Sequence, residues 1–198
     1  MKKSMSPQCG RCESKECRDG MDCFSQTSNH RQLYQDNHIA ELHKAASAIE
    51  GRYYSKETRL GEIILFAKEL GYKKIGLAFC IGLSEEAKII DEILSKHFVV
   101  VSVCCKVCGI DKKDFDLTQI SSRNQEVMCN PAGQAHLLKE AETQLNIICG
   151  LCVGHDAIFA KLSGAPVTTL IAKDRVLAHN PASAIYCQYI RRQFDETQ

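Results

Sequence analysis

The stretch FVVVSVCC, residues 98–105, is the clearest strand pattern in the chain, because it is β-branched and apolar on both faces. A strand that is buried on both faces is typical of a parallel sheet. Three further apolar runs alternate with segments of helical periodicity, and they are KKIGLAFC (73–80), LNIICGLC (145–152) and PVTTLIAK (166–173). This alternation predicts an α/β, Rossmann-like fold, in which a mostly parallel sheet carries helices on both faces.

The composition divides the chain into three predicted segments. Residues 1–25 hold few aliphatic side chains and cannot build a core, so they are predicted to be a small Cys-rich metal-binding segment. Residues 26–71 have apolar positions at helical spacing and are predicted to form a helical segment that packs on the main domain. Residues 72–198 are predicted to form the α/β domain, which ends in one helix over residues 182–194.

Charge and hydropathy exclude two kinds of partner. The 198 residues include 25 basic and 24 acidic side chains, a formal net charge of +1, with no basic stripe of the kind that binds nucleic acid. No run approaches the roughly 18 apolar residues of a membrane span, and no apolar stretch follows the opening MKKSMSPQCG. The prediction is therefore a cytoplasmic protein with neither a nucleic-acid nor a membrane partner.

The cysteine content is the unusual feature of the composition. In a reducing cytoplasm, cysteines at this density are more often metal ligands or redox groups than disulfides. The twelve are Cys9, Cys12, Cys17, Cys23, Cys80, Cys104, Cys105, Cys108, Cys129, Cys149, Cys152 and Cys187.

Four of these cysteines stand where predicted strands end or where the next helix begins. Cys80 and Cys105 end the first and second strands, and Cys152 follows the third. Cys129 stands just before the helix that begins at Pro131. Because the carboxyl ends of parallel strands meet at one edge of the sheet, the four thiols are expected to lie together there. Four thiolates form the ligand set of a [4Fe–4S] cluster, which is the predicted cofactor.

Other cysteines have competing interpretations. Cys104, Cys108 and Cys149 are interpreted as alternative ligands or as a redox pair, since Cys108 and Cys149 complete C-x-x-C spacings. Core packing is the alternative for any single position, because a buried free cysteine behaves as a small hydrophobe. Cys187, within the predicted last helix, is interpreted as a packing residue.

A thiol enzyme is a further possibility, with Cys152 as nucleophile and His155 as general base. His155 is interpreted first as a helix-start residue. Lys173, Asp174 and Arg175, after the fourth strand, are interpreted as a solvated charged turn, with contact to a substrate as the alternative. The sequence contains no G-x-G-x-x-G, Walker or G-x-S-x-G motif, so it names no further reaction class.

The N-terminal stretch CGRCESKECRDGMDC, residues 9–23, has the pattern C-x2-C-x4-C-x5-C. Four thiolates among almost no apolar residues indicate a bound metal that supplies the folding free energy. The predicted ligands are Cys9, Cys12, Cys17 and Cys23. The spacing matches neither the zinc ribbon nor the bacterial ferredoxin pattern, so zinc and an iron–sulfur cluster both stay open, as does a disordered tail.

Several segments of the chain resemble the domain-of-unknown-function 1847 family, and they are LAFCIGLSEEAKII, SVCCKVCGI, MCNPAGQAHLL, GLCVGHDAIF and APVTTLIAKDRVLAHNPASAIY. The resemblance implies metal binding in an anaerobic cytoplasm and supplies no established reaction. It places Cys80, Cys105, Cys129 and Cys152, with the four N-terminal cysteines, on motif positions. Positions 108 and 149 depart from the family pattern, which favours the four-thiol interpretation over a C-x-x-C dithiol.

The predicted function is that of a cytoplasmic metal-binding protein with two cysteine sites, active in redox chemistry or electron transfer with a redox partner protein. An iron–sulfur cluster is the favoured metal group. The first alternative is a zinc-binding structural or metal-sensing module without catalysis. The second is a thiol-dependent enzyme that uses Cys152 and His155.

Overall fold

The computed structural model describes residues 6–121 and 125–195. The opening residues 1–5, which entered the prediction of cytoplasmic location, lie outside this part of the chain. The chain divides into two compact units, Met1–Ala48 and Ile49–Gln198. The division into three segments, 1–25, 26–71 and 72–198, stays a prediction, and the two units are a separate description of the chain.

The first unit is built with few apolar contacts. Two short 3₁₀ turns, Cys9–Arg11 and Glu16–Asp19, precede helix α1, Thr27–Leu33, and helix α2, Asn37–Tyr53, begins in this unit and ends in the next. The side chains are exposed over most of residues 6–39. The Asp22 carboxylate accepts hydrogen bonds from the Thr27 hydroxyl at 2.6 Å and the Thr27 amide at 2.8 Å. Polar contacts therefore shape this unit in place of a core.

The second unit contains a four-stranded parallel sheet. Its strands are β1 (Lys74–Phe79), β2 (Val99–Cys104), β3 (Leu145–Cys149) and β4 (Val167–Ile171). Their order is β2-β1-β3-β4, and all neighbouring pairs are parallel. All five β3 residues are buried, as the apolar pattern of this run predicts. The predicted Rossmann-like α/β fold is confirmed.

Helices cover both faces of this sheet. The helices that follow α2 are α3 (Arg59–Glu69), α4 (Ser84–Leu94), α5 (Pro131–Glu140) and α6 (His155–Leu162). Phe79 of β1 lines a groove with Ala87 of α4. Gly76 is three residues before Phe79, so a Cβ added at Gly76 would project from the opposite face of the sheet. It would lie 2.9 Å from Leu138 Cδ1 of α5. Helices α4 and α5 therefore lie on opposite faces.

The C-terminal segment differs from the prediction of one closing helix. It consists of α7 (Ala182–Tyr186), α8 (Gln188–Arg191) and a 3₁₀ turn over Arg192–Phe194. The break falls at Cys187, whose backbone is extended with φ −78° and ψ 104°. Cys187 is exposed, so its interpretation as a packing residue within a helix is wrong. Within the described part of the chain, no helix combines the length and apolar character needed to cross a membrane.

Candidate functional site at the carboxyl edge of the sheet

The site lies where the direction of the strand order reverses. From β1 the chain leads to β2 on one side, and β3 lies on the other side of β1. The crevice at the carboxyl ends of two such strands is where open α/β sheets bind ligands. Cys80 directly follows β1, Cys105 directly follows β2, Cys152 follows β3 after two residues, and Cys129 directly precedes the α5 N-cap. We call these four cysteines the thiol edge.

Backbone hydrogen bonds continue beyond the strands and link the segments that carry these thiols. The Cys80 amide donates to the Cys149 carbonyl at 3.1 Å, and the Cys105 amide donates to the Phe79 carbonyl at 2.8 Å. The Asn130 amide donates to the Cys105 carbonyl at 2.7 Å, which holds the segment of Cys129 beside Cys105. The sheet topology therefore brings together segments that are far apart in sequence.

A buried glutamine supports the same edge from α5. Gln134 is 0% exposed, and its side-chain amide donates to the Phe79 carbonyl at 3.2 Å and to the Val103 carbonyl at 2.7 Å. These two residues end or nearly end β1 and β2, just before the first two thiols. Among the described residues, the Gln134 Oε1 atom is a buried side-chain oxygen with no hydrogen-bond partner. The sequence pattern did not point to Gln134, because a polar residue in an amphipathic helix is expected at its surface.

Cys105 and Cys129 form a hydrogen-bonded thiol pair. The hydrogen bond from Cys105 lowers the pKa of Cys129 to about 5, with further help from the positive charges of Lys106 and His155. The same bond, together with burial, raises the pKa of Cys105 well above its usual range. The Ile81 amide also donates to the Cys105 sulfur at 3.3 Å. The negative charge of the pair therefore resides on Cys129.

Two cations from the loop after β4 contact the other two thiols. Lys173 Nζ donates to Cys80 Sγ at 3.5 Å, and Arg175 Nη2 donates to Cys152 Sγ at 2.8 Å. A Cβ at Gly82 would lie 3.4 Å from Lys173 Nζ and 3.9 Å from Cys80 Sγ, so the ammonium group occupies the space beside this glycine. The interpretation of this segment as a solvated turn missed these contacts.

The remaining cysteines near the edge differ in their surroundings. Cys149 is 0% exposed, and burial raises its pKa to about 11, which fits core packing. Cys104 is half-buried, and its sulfur accepts from the Lys106 amide at 3.4 Å. Cys108 is exposed and has a left-handed backbone with φ 71°. None of these environments resembles the cation-facing thiols of the edge.

The candidate pair Cys152 and His155 is linked through the backbone. The Cys152 carbonyl accepts from the amides of His155 at 2.9 Å and Asp156 at 3.1 Å, which begins α6. The Cys152 sulfur faces Arg175, whereas the charge of His155 acts on Cys129. The catalytic role of Cys152 and His155 stays a prediction.

The four N-terminal cysteines share one cavity of about 420 Å³ in the first unit, whose lining also includes His30. All four are exposed, and the backbone amide of Lys15 lowers the pKa of Cys12. Within residues 6–121 and 125–195, no three His, Cys, Asp or Glu side chains lie close enough together to hold one metal ion. The predicted metal and cofactor roles stay predictions.

Comparison with known proteins gives the family. Residues 20–170 match the family model described as protein of unknown function (DUF1847). The chain belongs to this family. An uncharacterized protein of Methanocaldococcus jannaschii is 52% identical over 190 residues, which cover 96% of this chain and 98% of the relative. No solved structure matches the chain.

The DUF1847 match covers the two cysteine sites unequally. The match includes the whole thiol edge, from Cys80 to Cys152, and one N-terminal cysteine, Cys23. Lys173 and Arg175 lie beyond its end at residue 170. The family resemblance predicted from the sequence motifs is confirmed.

Proposed function

We propose that this protein binds an iron–sulfur cluster at the thiol edge and takes part in electron transfer or substrate reduction in the cytoplasm. One observation supports this proposal above the others: each of the four edge sulfurs faces an N–H donor. The donors are Lys173 for Cys80, the Ile81 amide for Cys105, Lys106 for Cys129 and Arg175 for Cys152.

The charge of these donors favours anionic sulfur. Lys106, Lys173 and Arg175 are cations, and a cation that donates a hydrogen bond to sulfur stabilises the thiolate. Thiolates are the ligands of iron–sulfur clusters, and hydrogen bonds to their sulfurs tune the cluster. Neutral packing cysteines have no need of such donors, as Cys149 illustrates.

The number of thiols matches the ligand set of a cluster. A [4Fe–4S] cluster takes four thiolate ligands, each on a different iron atom. Cys80, Cys105, Cys129 and Cys152 would hold the cluster, which would supply one-electron redox chemistry.

The N-terminal cysteines are proposed as a second metal site. Cys9, Cys12, Cys17 and Cys23 line one cavity in a unit with little apolar packing, so bound metal would supply the stabilisation that a core normally provides. Zinc and an iron–sulfur cluster are the two candidates.

Metal and acid-labile sulfide analysis of anaerobically purified protein tests both sites. About four iron and four sulfide per chain are expected for one cluster and about eight for two, with broad absorption near roughly 400 nm. Colourless protein with zinc alone would contradict the iron–sulfur proposal and support the zinc-binding module.

Matched cysteine variants test the location of the cluster. Cys129→Ala and Cys152→Ala are expected to remove the edge cluster and about four iron per chain. Cys104→Ala and Cys187→Ala are the controls, because one lies beside the edge and the other is exposed on the C-terminal segment. Equal iron loss in all four variants would contradict a specific edge site.

A thiol enzyme is the second candidate, because the Arg175 guanidinium faces the Cys152 sulfur at 2.8 Å. A cation in this position activates a thiol as a nucleophile. Alkylation of metal-free protein would then label Cys152 faster than the exposed Cys187, and Arg175→Met would slow the labelling of Cys152. Labelling of Cys152 that is no faster than that of Cys187 would exclude this candidate.

A further inference from the structure

We infer that Lys173 and Arg175 raise the reduction potential of the group held at the thiol edge. The inference rests on the proposed function. It assigns a role to two residues of one loop that lie beyond the segment matched by the family model.

The first support is the reach of the two side chains. Both leave the loop after β4, yet Lys173 contacts the thiol that follows β1, with β3 between these strands in the sheet. Arg175 contacts the thiol that follows β3. One loop therefore places two positive charges on thiols from two different segments.

The second support is that hydrogen bonds within this loop hold its backbone. The Asp174 amide donates to His179 Nδ1 at 3.1 Å, and the His179 amide donates to the Asp174 carbonyl at 2.9 Å. The Asp174 carboxylate also accepts from the amides of Val176 and Leu177 at 2.9 and 2.8 Å. These bonds lie between and around the two cations, so the positions of the cations are set by the loop.

The third support is the absence of competing acidic partners in the described part of the chain. The ion pairs there are Arg52–Glu69, Lys112–Glu126 and His136–Glu140. Lys173 and Arg175 contact sulfur instead. Neither cation is therefore held in an ion pair with a carboxylate, and the Glu86 carboxylate is the acidic group near this edge, where it acts on Cys149.

The direction of the effect follows from charge. One-electron reduction adds one negative charge to the group, breaks no bond, and takes its electron from an external reductant such as dithionite. Nearby cations stabilise the more negative state and so raise the potential. Lys173 is half-buried, so water screens its charge less than that of the exposed Arg175.

The test is an anaerobic potentiometric titration of iron-loaded protein, followed by visible absorption and electron paramagnetic resonance. Lys173→Met and Arg175→Met are expected to shift the midpoint potential to more negative values, with the larger shift for Lys173→Met. Arg175→Lys keeps the charge and is expected to recover much of the potential. Arg191→Met, an exposed arginine of α8, is the matched control and is expected to leave the potential unchanged.

The outcomes separate the two proposals. Wild-type protein without iron and sulfide would overturn the proposed function, and this inference with it. Loaded variants whose potentials equal that of wild type would overturn only the inference. If Lys173→Met assembles no cluster, Arg175→Met decides, because its exposed side chain can be replaced without disturbing the core.

Discussion

The two cysteine-rich regions of this protein differ in what shapes them. At the thiol edge, Cys80 and Cys105 are 7% and 3% exposed, and their segments are joined by backbone hydrogen bonds that extend a parallel sheet. In the first unit, residues 9–23 have exposed thiols and two short 3₁₀ turns. The fold positions one set of thiols before any ligand binds, whereas the other set has little packing to position it.

The two regions therefore use the free energy of ligand binding differently. A preorganised site needs little ordering when it binds, so the ligand adds function to an existing fold. A site without a core must gain its structure from the ligand, and metal binding then becomes folding free energy. The following experiments test that contrast.

Metal removal is expected to have the largest effect, and mainly in the first unit. Structural metal sites of this type contribute about 10 kcal/mol or more at neutral pH. Amides around residues 9–34 are therefore expected to lose hydrogen-exchange protection in metal-free protein, while those of β1 and β3 keep theirs. Hydrogen exchange read by mass spectrometry measures both regions in one sample.

A matched pair of variants controls for general unfolding. Cys17→Ser is expected to reproduce the loss of protection in the first unit, and Cys187→Ser is expected to leave it unchanged. Equal loss of protection in the sheet strands would contradict the contrast, because it would make the fold of the second unit dependent on metal.

Gln134→Met is expected to have the next largest effect, because it removes the amide that joins the ends of β1 and β2. The loss of one buried and one partly buried hydrogen bond should lower the free energy of unfolding by about 1–3 kcal/mol. Chemical denaturation of metal-free protein measures this change. We also expect faster loss of the edge cluster, since Cys80 follows one of the two bridged carbonyl groups.

Gln144→Met is the control for Gln134→Met. Gln144 Oε1 accepts from the amides of Lys73 at 2.7 Å and Lys74 at 3.1 Å, but at the opposite end of β1 and with an exposed side chain. Water can replace this acceptor, so the expected loss is smaller. If Gln144→Met lowers the free energy of unfolding as much as Gln134→Met does, burial of the Gln134 side chain does not strengthen its hydrogen bonds.

The sequence was sufficient to predict the fold and the position of the thiol edge. The apolar runs that became β1 to β4 are strong strand signals, and the parallel arrangement then places Cys80, Cys105 and Cys152 at one edge. Asn130 and Pro131 likewise mark the start of α5, where the Asn130 side chain accepts from the Gly133 amide at 2.8 Å. Local patterns decide these features, so they can be derived without tertiary information.

The cationic partners of the thiols could not be predicted in the same way. Lys173 and Arg175 lie in a loop with no periodic pattern, and their contacts with Cys80 and Cys152 depend on strand order. The break of the last helix at Cys187 also has no breaker residue, since neither glycine nor proline stands there. Contacts between distant segments, and helix breaks that no glycine or proline marks, can be identified only from the three-dimensional structure.

The thiol reactivity of Cys129 is expected to distinguish the edge from ordinary cysteines. Its pKa is lowered to about 5, so in metal-free protein the thiolate persists as the pH falls from 8 to 6 and is lost only as the pH passes below about 5. An ordinary cysteine, with a pKa of about 8.5, is almost fully protonated at pH 6. Allowing for the weaker nucleophilicity of a low-pKa thiolate, Cys129 should be alkylated about tenfold faster than such a cysteine at pH 6.

Mass spectrometry of iodoacetamide-treated protein over pH 4–9 measures this profile. Lys106→Met is expected to move the labelling midpoint of Cys129 to higher pH, because it removes a cation that favours the thiolate. A labelling midpoint for Cys129 near pH 8.5 would contradict the hydrogen-bonded pair with Cys105.

The smallest change in stability is expected for a substitution at Gly82, which lies beside the thiol edge. An alanine methyl group there would lie 3.4 Å from Lys173 Nζ and 3.9 Å from Cys80 Sγ, which is ordinary van der Waals contact. Gly82→Ala should therefore change the free energy of unfolding by no more than about 1 kcal/mol. Gly82→Leu places a larger side chain beside Lys173 Nζ and should lower the potential by less than Lys173→Met does. Gly10 is the control position in the first unit, because an added Cβ there would meet no atom within 4 Å. Gly10→Leu is therefore expected to leave the potential of the edge cluster unchanged. An unchanged potential in Gly82→Leu would count against an effect of Lys173 through its contact with the Cys80 sulfur.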